Sequence, residues 1–536
     1  MRLPRFHSAR RRWAAIGLSA LGGALAVAPA VRAADQVSVQ LLGVDFDIPI
    51  SALEDVATTG QFQGSLSSFN SLLKPEGLSR LKEALTAQAP ISQKAIANVF
   101  QSAQTTPGVF LNQLGLIIRS GSANRNGAED IRQAVLKANA SPSGLTLLSF
   151  FKAYNDSTVL VDLSNLQQVG AQAKILKEQT QLISSLITQA AAQSVTPPPL
   201  NLPAVTQPGP QSWVMTSYDW KDTPRNRQVP TDLYLPTTKS KGPLPLVLIS
   251  HGLGENRQSL AYVARHLASY GFAVAVPLHI GTSEEGFKNV LEGYAKPPNA
   301  QEAINRPKDL SFVLDQLSAD PKLSTQVNTQ KVVALGHSYG GYTVLANGGA
   351  PLSPAYARQN CQSRDQLNLN LSIALQCTFV TLPQDQYNLR DPRVVGVVAA
   401  NAFTSASFSP EALQQVQVPT VMLASSADLI VPMVKEATPA YAKFPGPDKY
   451  FVQFKRGTHF SVLPPSDGDA GVIPVPADLI GPPQTIGNTY FKAIALTFAQ
   501  AYLQQDTQAK QRLSQAGLGQ LSDPQMPLAI LRGPLP

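Results

Sequence analysis

"KVVALGHSYGGYTVLANGG", residues 331–349, joins an apolar run to a helix-like one across a serine set between glycines. Gly336-His337-Ser338-Tyr339-Gly340 has the form G-x-S-x-G. The strand-like "KVVAL" runs straight into Gly336, and the residues from Tyr339 read as a helix start. So tight a strand-to-helix turn needs small residues beside the serine, because side chains there would strike neighbouring backbone. The turn would hold Ser338 Oγ at the carboxyl end of a strand, where open α/β sheets bind their ligands. The helix dipole there favours a developing anion.

Outward from this stretch, short apolar runs recur without polar alternation: "LPLVLIS" (244–250), "FAVAVP" (272–277), "RVVGVVAA" (393–400), "TVMLAS" (420–425) and "KYFVQF" (449–454). Such runs are expected of strands buried on both faces, hence of a mostly parallel sheet covered by helices. "RQSLAYVARHLASYG" and "KDLSFVLDQL" supply helical periods between them, the latter with Leu310, Val313, Leu314 and Leu317 on one face. We read an α/β domain over 212–506 with an insertion at 351–392, followed by a polar, proline-containing tail at 507–536. A proline-rich linker at 193–211 precedes it. Residues 34–192 open on a strand-like alternation and then read as a mainly helical domain. Leu78, Leu81 and Leu85 mark one apolar stripe, and Leu166, Val169, Ala173 and Leu176 another that continues through Ile183 and Ile187.

The formal charge of +8 over 536 residues could suggest a nucleic-acid or anionic-membrane partner. Six arginines precede the first acid, Asp35, and from Ala34 onward the balance falls to +2, so no nucleic-acid partner is expected. Those arginines belong to a leader: a basic start, an apolar run from Trp13 to Ala30, then Val31-Arg32-Ala33 as a small-residue cleavage site. We expect a signal peptide over 1–33 and an exported protein, periplasmic or secreted. An uncleaved anchor is the other reading, which the cleavage motif and the Gly/Ala-rich run disfavour. An oxidising compartment would let Cys361 and Cys377, the two cysteines, form a disulfide; two buried free thiols are the alternative. Neither cysteine stands at zinc-site spacing, and no metal or cofactor is expected.

A serine hydroxyl needs a base, and six histidines occur: His7, His251, His266, His279, His337 and His459. His7 leaves with the leader. His266 lies mid-helix and His337 points away from Ser338, so both read as surface or packing residues. His251 and His279 end predicted strands and could line a site. His459 follows the last core run, where a loop can reach back over the nucleophile, and is the candidate base. Asp428 follows "TVMLAS" and gives the order Ser, Asp, His; Asp391 precedes its strand and Glu436 lies in a predicted helix. Acyl chemistry also needs donors for an oxyanion, and the backbone N–H groups of Leu253, in "ISHGLGENR", and of Tyr339 are the candidates.

"SHGLG" (250–254) followed by "GHSYGG" (336–341) resembles the platelet-activating factor acetylhydrolase and dienelactone hydrolase-like branch of the α/β-hydrolases. From residue 34 to about 506 the chain resembles an exported α/β-hydrolase family of largely unknown function with a helical N-terminal extension. The resemblance implies an α/β-hydrolase fold. In the acetylhydrolase the acid follows the strand after the nucleophile helix; here that place holds Asn401, which moves the acid to Asp428. The expectation is a carboxylic-ester hydrolase forming an acyl-enzyme on Ser338, with the insertion and the N-terminal domain as walls or lids. Its partner would be an ester substrate, a lipid-like one among the alternatives, with no obligate protein partner. A peptidase or amidase with the same triad, or a binding protein that keeps the fold without turnover, are the rival readings.

Overall fold

Two hydrophobic patterns in the chain build two sheets. The computed structural model describes residues 33–41, 44–89, 93–100, 111–121, 125–193, 205–237, 242–361, 369–465 and 477–536. The expected leader up to residue 32, most of the linker and residues 362–368 of the insertion lie outside these.

The N-terminal strands are β1 (Gln36–Leu41), β2 (Val44–Pro49), β3 (Ile118–Ser120), β4 (Arg125–Asn126) and β5 (Thr158–Asp162), in the order β2-β1-β5-β3-β4. Helices such as Ile50–Thr59, Phe69–Thr86 and Ala128–Asn139 cover them. Val37, Ile50, Leu53, Val56, Leu78, Leu85, Ile131 and Val159 share one separate core. Mainly helical content was expected here, but a five-stranded sheet was not. Strands of two and three residues, like β3 and β4, are too short to display a period of two.

The larger sheet begins with an antiparallel pair, β6 (Trp213–Asp222) and β7 (Arg227–Pro236). Next come the six apolar runs as β8 (Leu244–Ser250), β9 (Ala273–Pro277), β10 (Val327–His337), β11 (Val394–Ala400), β12 (Thr420–Ser425) and β13 (Lys449–Phe454). β14 (Leu528–Arg532) closes the order β14-β13-β12-β11-β10-β8-β9-β7-β6. The pairs from β9 through β13 are all parallel. Residues alternate between two cores: Leu246, Leu248, Val332 and Ala334 join the helices Glu302–Ala319 and Tyr339–Gly348, while Val247, Ile249, Val333 and Leu335 join Ala261–Ser269 and Gln484–Leu503. This is an α/β-hydrolase fold. One expectation is corrected, because the presumed tail at 507–536 supplies β14, whose apolar "LAILR" pairs antiparallel with β13.

Strand order fixes where a site can form. The chain leaves β8 to β9 on one side and reaches β10 on the other, so the carboxyl ends of β8 and β10 part at a topological switch point. Cys361 and Cys377 are disulfide-bonded and clamp the insertion that follows the helix after β10. Among the described residues no helix is long and apolar enough to cross a membrane.

The helix Leu163–Ala192 corrects a boundary. Its first half is largely exposed, but Ile187 and Ala191 are buried in the core of the larger domain, with Ile183 packed beside them. The larger domain therefore owns the end of this helix, and a chain cut after Ala192 would lose part of its own core. Ile187→Ala should cost about 2–5 kcal/mol. Trp213 and Trp220 lie in the larger domain and no tryptophan lies between residues 36 and 162, so tryptophan fluorescence during urea unfolding measures the loss in the correct domain.

Candidate functional site

Backbone sterics make the turn at Ser338. A Cβ on Gly340 would stand 1.9 Å from Ser250 O, and one on Gly336 would stand 2.3 Å from the Gly340 carbonyl. Without side chains at these positions the helix Tyr339–Gly348 can start directly against the end of β8. Ser338 carries the resulting strain at φ 55°, ψ −116°, its N–H bonded to Ala400 O at 2.8 Å. It is partly exposed while His337 and residues 339–341 are buried.

His459 opens a short 3-10 helix, His459–Val462, after β13. Its Nδ1 is 2.7 Å from Asp428 Oδ2. Asp428 Oδ1 accepts the N–H groups of Ile430 at 2.9 Å and Val431 at 2.7 Å, which holds the carboxylate toward the imidazole. The His459 ring lies 4.8 Å from that of His337, the residue before Ser338. Among the described residues Ser338 Oγ has no hydrogen-bond partner; such contacts are often long in ligand-free enzymes and tighten with substrate. Asn401, at positive φ after β11, reaches the His459 carbonyl at 3.3 Å rather than its ring. Glu436 is bonded elsewhere. Its buried carboxylate accepts from the Thr404 and Ser405 backbones and from Asn370, Ser372 and Gln376, tying the insertion to the loop after β11.

In the loop after β8, Gly252 N–H is held by Glu255 Oε2 at 2.7 Å and Gly254 N–H by Thr282 O at 2.9 Å. The N–H groups of Leu253 and Tyr339 have no acceptor among the described residues. They are the donors that an oxyanion would need.

A second Ser-His-Asp array lies beneath this floor. Ser250 Oγ is 2.9 Å from His279 Nε2, and His279 Nδ1 is 2.9 Å from Asp309 Oδ2, the bonding order of a catalytic triad. Burial, then the charges of Arg306, Arg227 and Arg225, drives the His279 pKa well below its ordinary value. Neutral His279 thus donates to Asp309 and accepts from Ser250. Arg225 and Arg227 also bond Asp309, and Arg306 bonds the His251 carbonyl and stacks on Tyr339 at 4.5 Å. Ser250, His279 and Asp309 are each 0% exposed.

Two histidines depart from expectation. His251 and His279 line no open site: both are fully buried, and His251 Nε2 accepts the His279 N–H at 3.0 Å. His337, read as a surface or packing residue, is buried and bonds Glu255 Oε1 at 2.7 Å and the His459 carbonyl at 3.0 Å. His266 packs as expected, its Nε2 3.0 Å from Val205 O. Sequence reasoning missed Ser250, Glu255, Arg306 and Asp309. A signal existed for two of them: Glu302, Arg306, Asp309 and Val313 recur at helical spacing, putting charges on a face that carries apolar residues.

Residues 33–162 match a family described as "Alpha/beta hydrolase of unknown function (DUF1400)", a span that coincides with the N-terminal sheet and its core. Residues 227–292 match "Platelet-activating factor acetylhydrolase, isoform II". The chain is similar to chloroplastic chlorophyllase-1 of Citrus unshiu and of Citrus sinensis, 29% identical over 125 residues, 23% of this chain and 34% of each relative. It is also similar to bis(hydroxyethyl) terephthalate hydrolase of Streptomyces coelicolor, 22% identical over 230 residues, 43% of this chain and 54% of that protein. The chain thus spans about a third to a half of the length of these relatives.

Gly340→Ala tests the steric basis of the site. With a methyl 1.9 Å from Ser250 O, the turn must shift, at a cost above the roughly 1–3 kcal/mol of ordinary overpacking. A lower thermal midpoint together with lost Ser338 reactivity is the expected result. The larger domain is an α/β-hydrolase fold carrying the Ser-His-Asp geometry of a serine-dependent hydrolase.

Proposed function

We propose that the protein is an exported carboxylic-ester hydrolase in which Ser338 is the nucleophile, His459 the base and Asp428 its orienting acid. The observation that carries this reading is the strained, partly exposed Ser338 at the switch point, next in sequence to His337, whose ring lies 4.8 Å from an imidazole whose Nδ1 is 2.7 Å from a held carboxylate. Ser250 has the better-formed hydrogen bonds, yet its complete burial leaves no approach for a carbonyl carbon. In this reading Ser338 Oγ attacks the ester carbonyl as its proton passes to His459 Nε2, and Asp428 stabilises the imidazolium. The N–H groups of Leu253 and Tyr339 bind the oxyanion. His459 then protonates the leaving alcohol, and water repeats the sequence to release the acid.

Apolar side chains support a substrate with a hydrocarbon part. Leu429, next to Asp428, is 56% exposed, and Leu371 is 50% exposed beside Ser372, which bonds Ile430 O. The named substrates of the relatives are esters of varied size, which supports an ester without choosing one. Contacts support a wall-forming role for the N-terminal domain: Lys94 lies 4.4 Å from the ring of Tyr294, and its helix packs on Glu284–Leu291, whose Phe287 reaches Gly254. The basic, apolar leader and the disulfide support export to the periplasm or beyond.

A fluorophosphonate probe followed by peptide mapping tests the nucleophile. The adduct should fall on Ser338 and persist in Ser250→Ala; an adduct on Ser250, or none, overturns the proposal. Asp428→Asn should lower kcat by about 10⁴, the scale seen when a triad acid becomes an amide, whereas Asn401→Ala should cost far less. p-Nitrophenyl esters of increasing chain length, run beside matching anilides, separate esterase from amidase.

A further inference from the structure

We propose that Glu255 is a positioning residue that sets the spacing between the oxyanion loop and the base loop. The inference rests on the reading of Ser338 and His459 given above. One carboxylate reaches both sides. Its Oε2 accepts Gly252 N–H at 2.7 Å, next to Leu253, and its Oε1 meets His337 Nδ1 at 2.7 Å. His337 Nε2 continues to the His459 carbonyl at 3.0 Å.

A carbonyl can only accept, and so can a carboxylate once ionised, so with Glu255 ionised His337 gives a proton at each nitrogen. Burial would lower the His337 pKa, but the Glu255 charge and hydrogen bond outweigh it and raise it. Burial would likewise raise that of Glu255, and His337 with Gly252 N–H brings it down. The ion pair thus welds the loop after β8, the residue before Ser338 and the loop after β13 into one chain of hydrogen bonds.

Close packing leaves this chain little slack. A Cβ on Gly252 would stand 2.3 Å from Glu255 Oε1 and 3.2 Å from Ser338 Cβ. The oxyanion loop is therefore pressed between the nucleophile and the carboxylate. Stability alone does not call for such a pair, since apolar residues of similar volume often serve as well as a buried ion pair. What a carboxylate adds is a fixed distance between two donors.

The test measures the rate of Ser338 labelling by a fluorophosphonate, and kcat and KM on p-nitrophenyl acetate, in the full chain. Glu255→Ala should slow labelling and kcat on the order of 10²-fold, the scale of a lost oxyanion donor, with KM within about threefold. Glu255→Gln keeps an acceptor for Gly252 and can donate to Nδ1 of a neutral His337. It should recover to within about tenfold of wild type. Glu255→Asp keeps the charge but is one methylene short of both partners; a fall of about tenfold or more is expected, and it decides the matter should the alanine variant not fold. Rates within about threefold of wild type in the alanine or aspartate variant, or a loss carried by KM alone, overturn the proposal. An adduct on another serine overturns the catalytic reading itself, whereas an adduct on Ser338 with undiminished rates removes only the role of Glu255.

Discussion

The contact on which the structure depends is between backbone and backbone: residue 340 lies so close to the Ser250 carbonyl that not even a methyl group fits between them. That approach lets the helix after β10 rest on the end of β8. It also forces Ser338 into positive φ and leaves the first N–H groups of the helix free for an incoming anion. A serine in relaxed strand geometry, like Ser250, remains inside the sheet. Ser338, ahead of that contact, is partly exposed, whereas Ser250, whose carbonyl makes it, is sealed in with His279 and Asp309.

The sealed array has a physical use without turnover. Its histidine is kept neutral by burial and by three arginines, so the hydrogen bonds of Ser250 and Asp309 are fixed in one sense. Arg306, buried with its pKa lowered to about 10 by desolvation, spans His251, Thr343 and Tyr339 and so braces the floor from below. Buried charges of this kind are costly to leave unpaired, so the network resists deformation just where a small displacement would misplace an attacking oxygen. The two Ser-His-Asp sets thus differ at the serine: Ser250 is hydrogen-bonded to its histidine and buried, whereas Ser338 is partly exposed and makes no such bond.

Much of this was legible in the sequence, and for identifiable reasons. Runs such as "TVMLAS" and "KYFVQF" are apolar on both faces and announced their strands to the residue. G-x-S-x-G marks a steric requirement, and the order of Asp428 and His459 follows from strand order. β6 escaped notice because its side chains are mostly exposed, and β14 because its apolar run is short and follows a polar stretch. Glu255 was illegible for another reason: a lone acid in a loop carries no period, and its meaning lies in a partner 82 residues away. The end of the helix Leu163–Ala192 was assigned to the wrong core because a stripe shows that a helix is covered without showing by what.

β14 has a consequence for the order in which the protein is made. It pairs with β13, the strand that delivers His459, yet it is synthesised only after that strand, the loop that carries His459 and three further α-helices. Until it emerges, "KYFVQF" is an open sheet edge of aromatic and β-branched residues, the kind of edge that templates aggregation. At roughly 5–20 residues per second the ribosome leaves that edge uncovered for several seconds. The nascent chain therefore passes through a vulnerable interval with its Ser338 turn already synthesised and its sheet unfinished, and a holdase engaging it then would find β13 an uncovered handle.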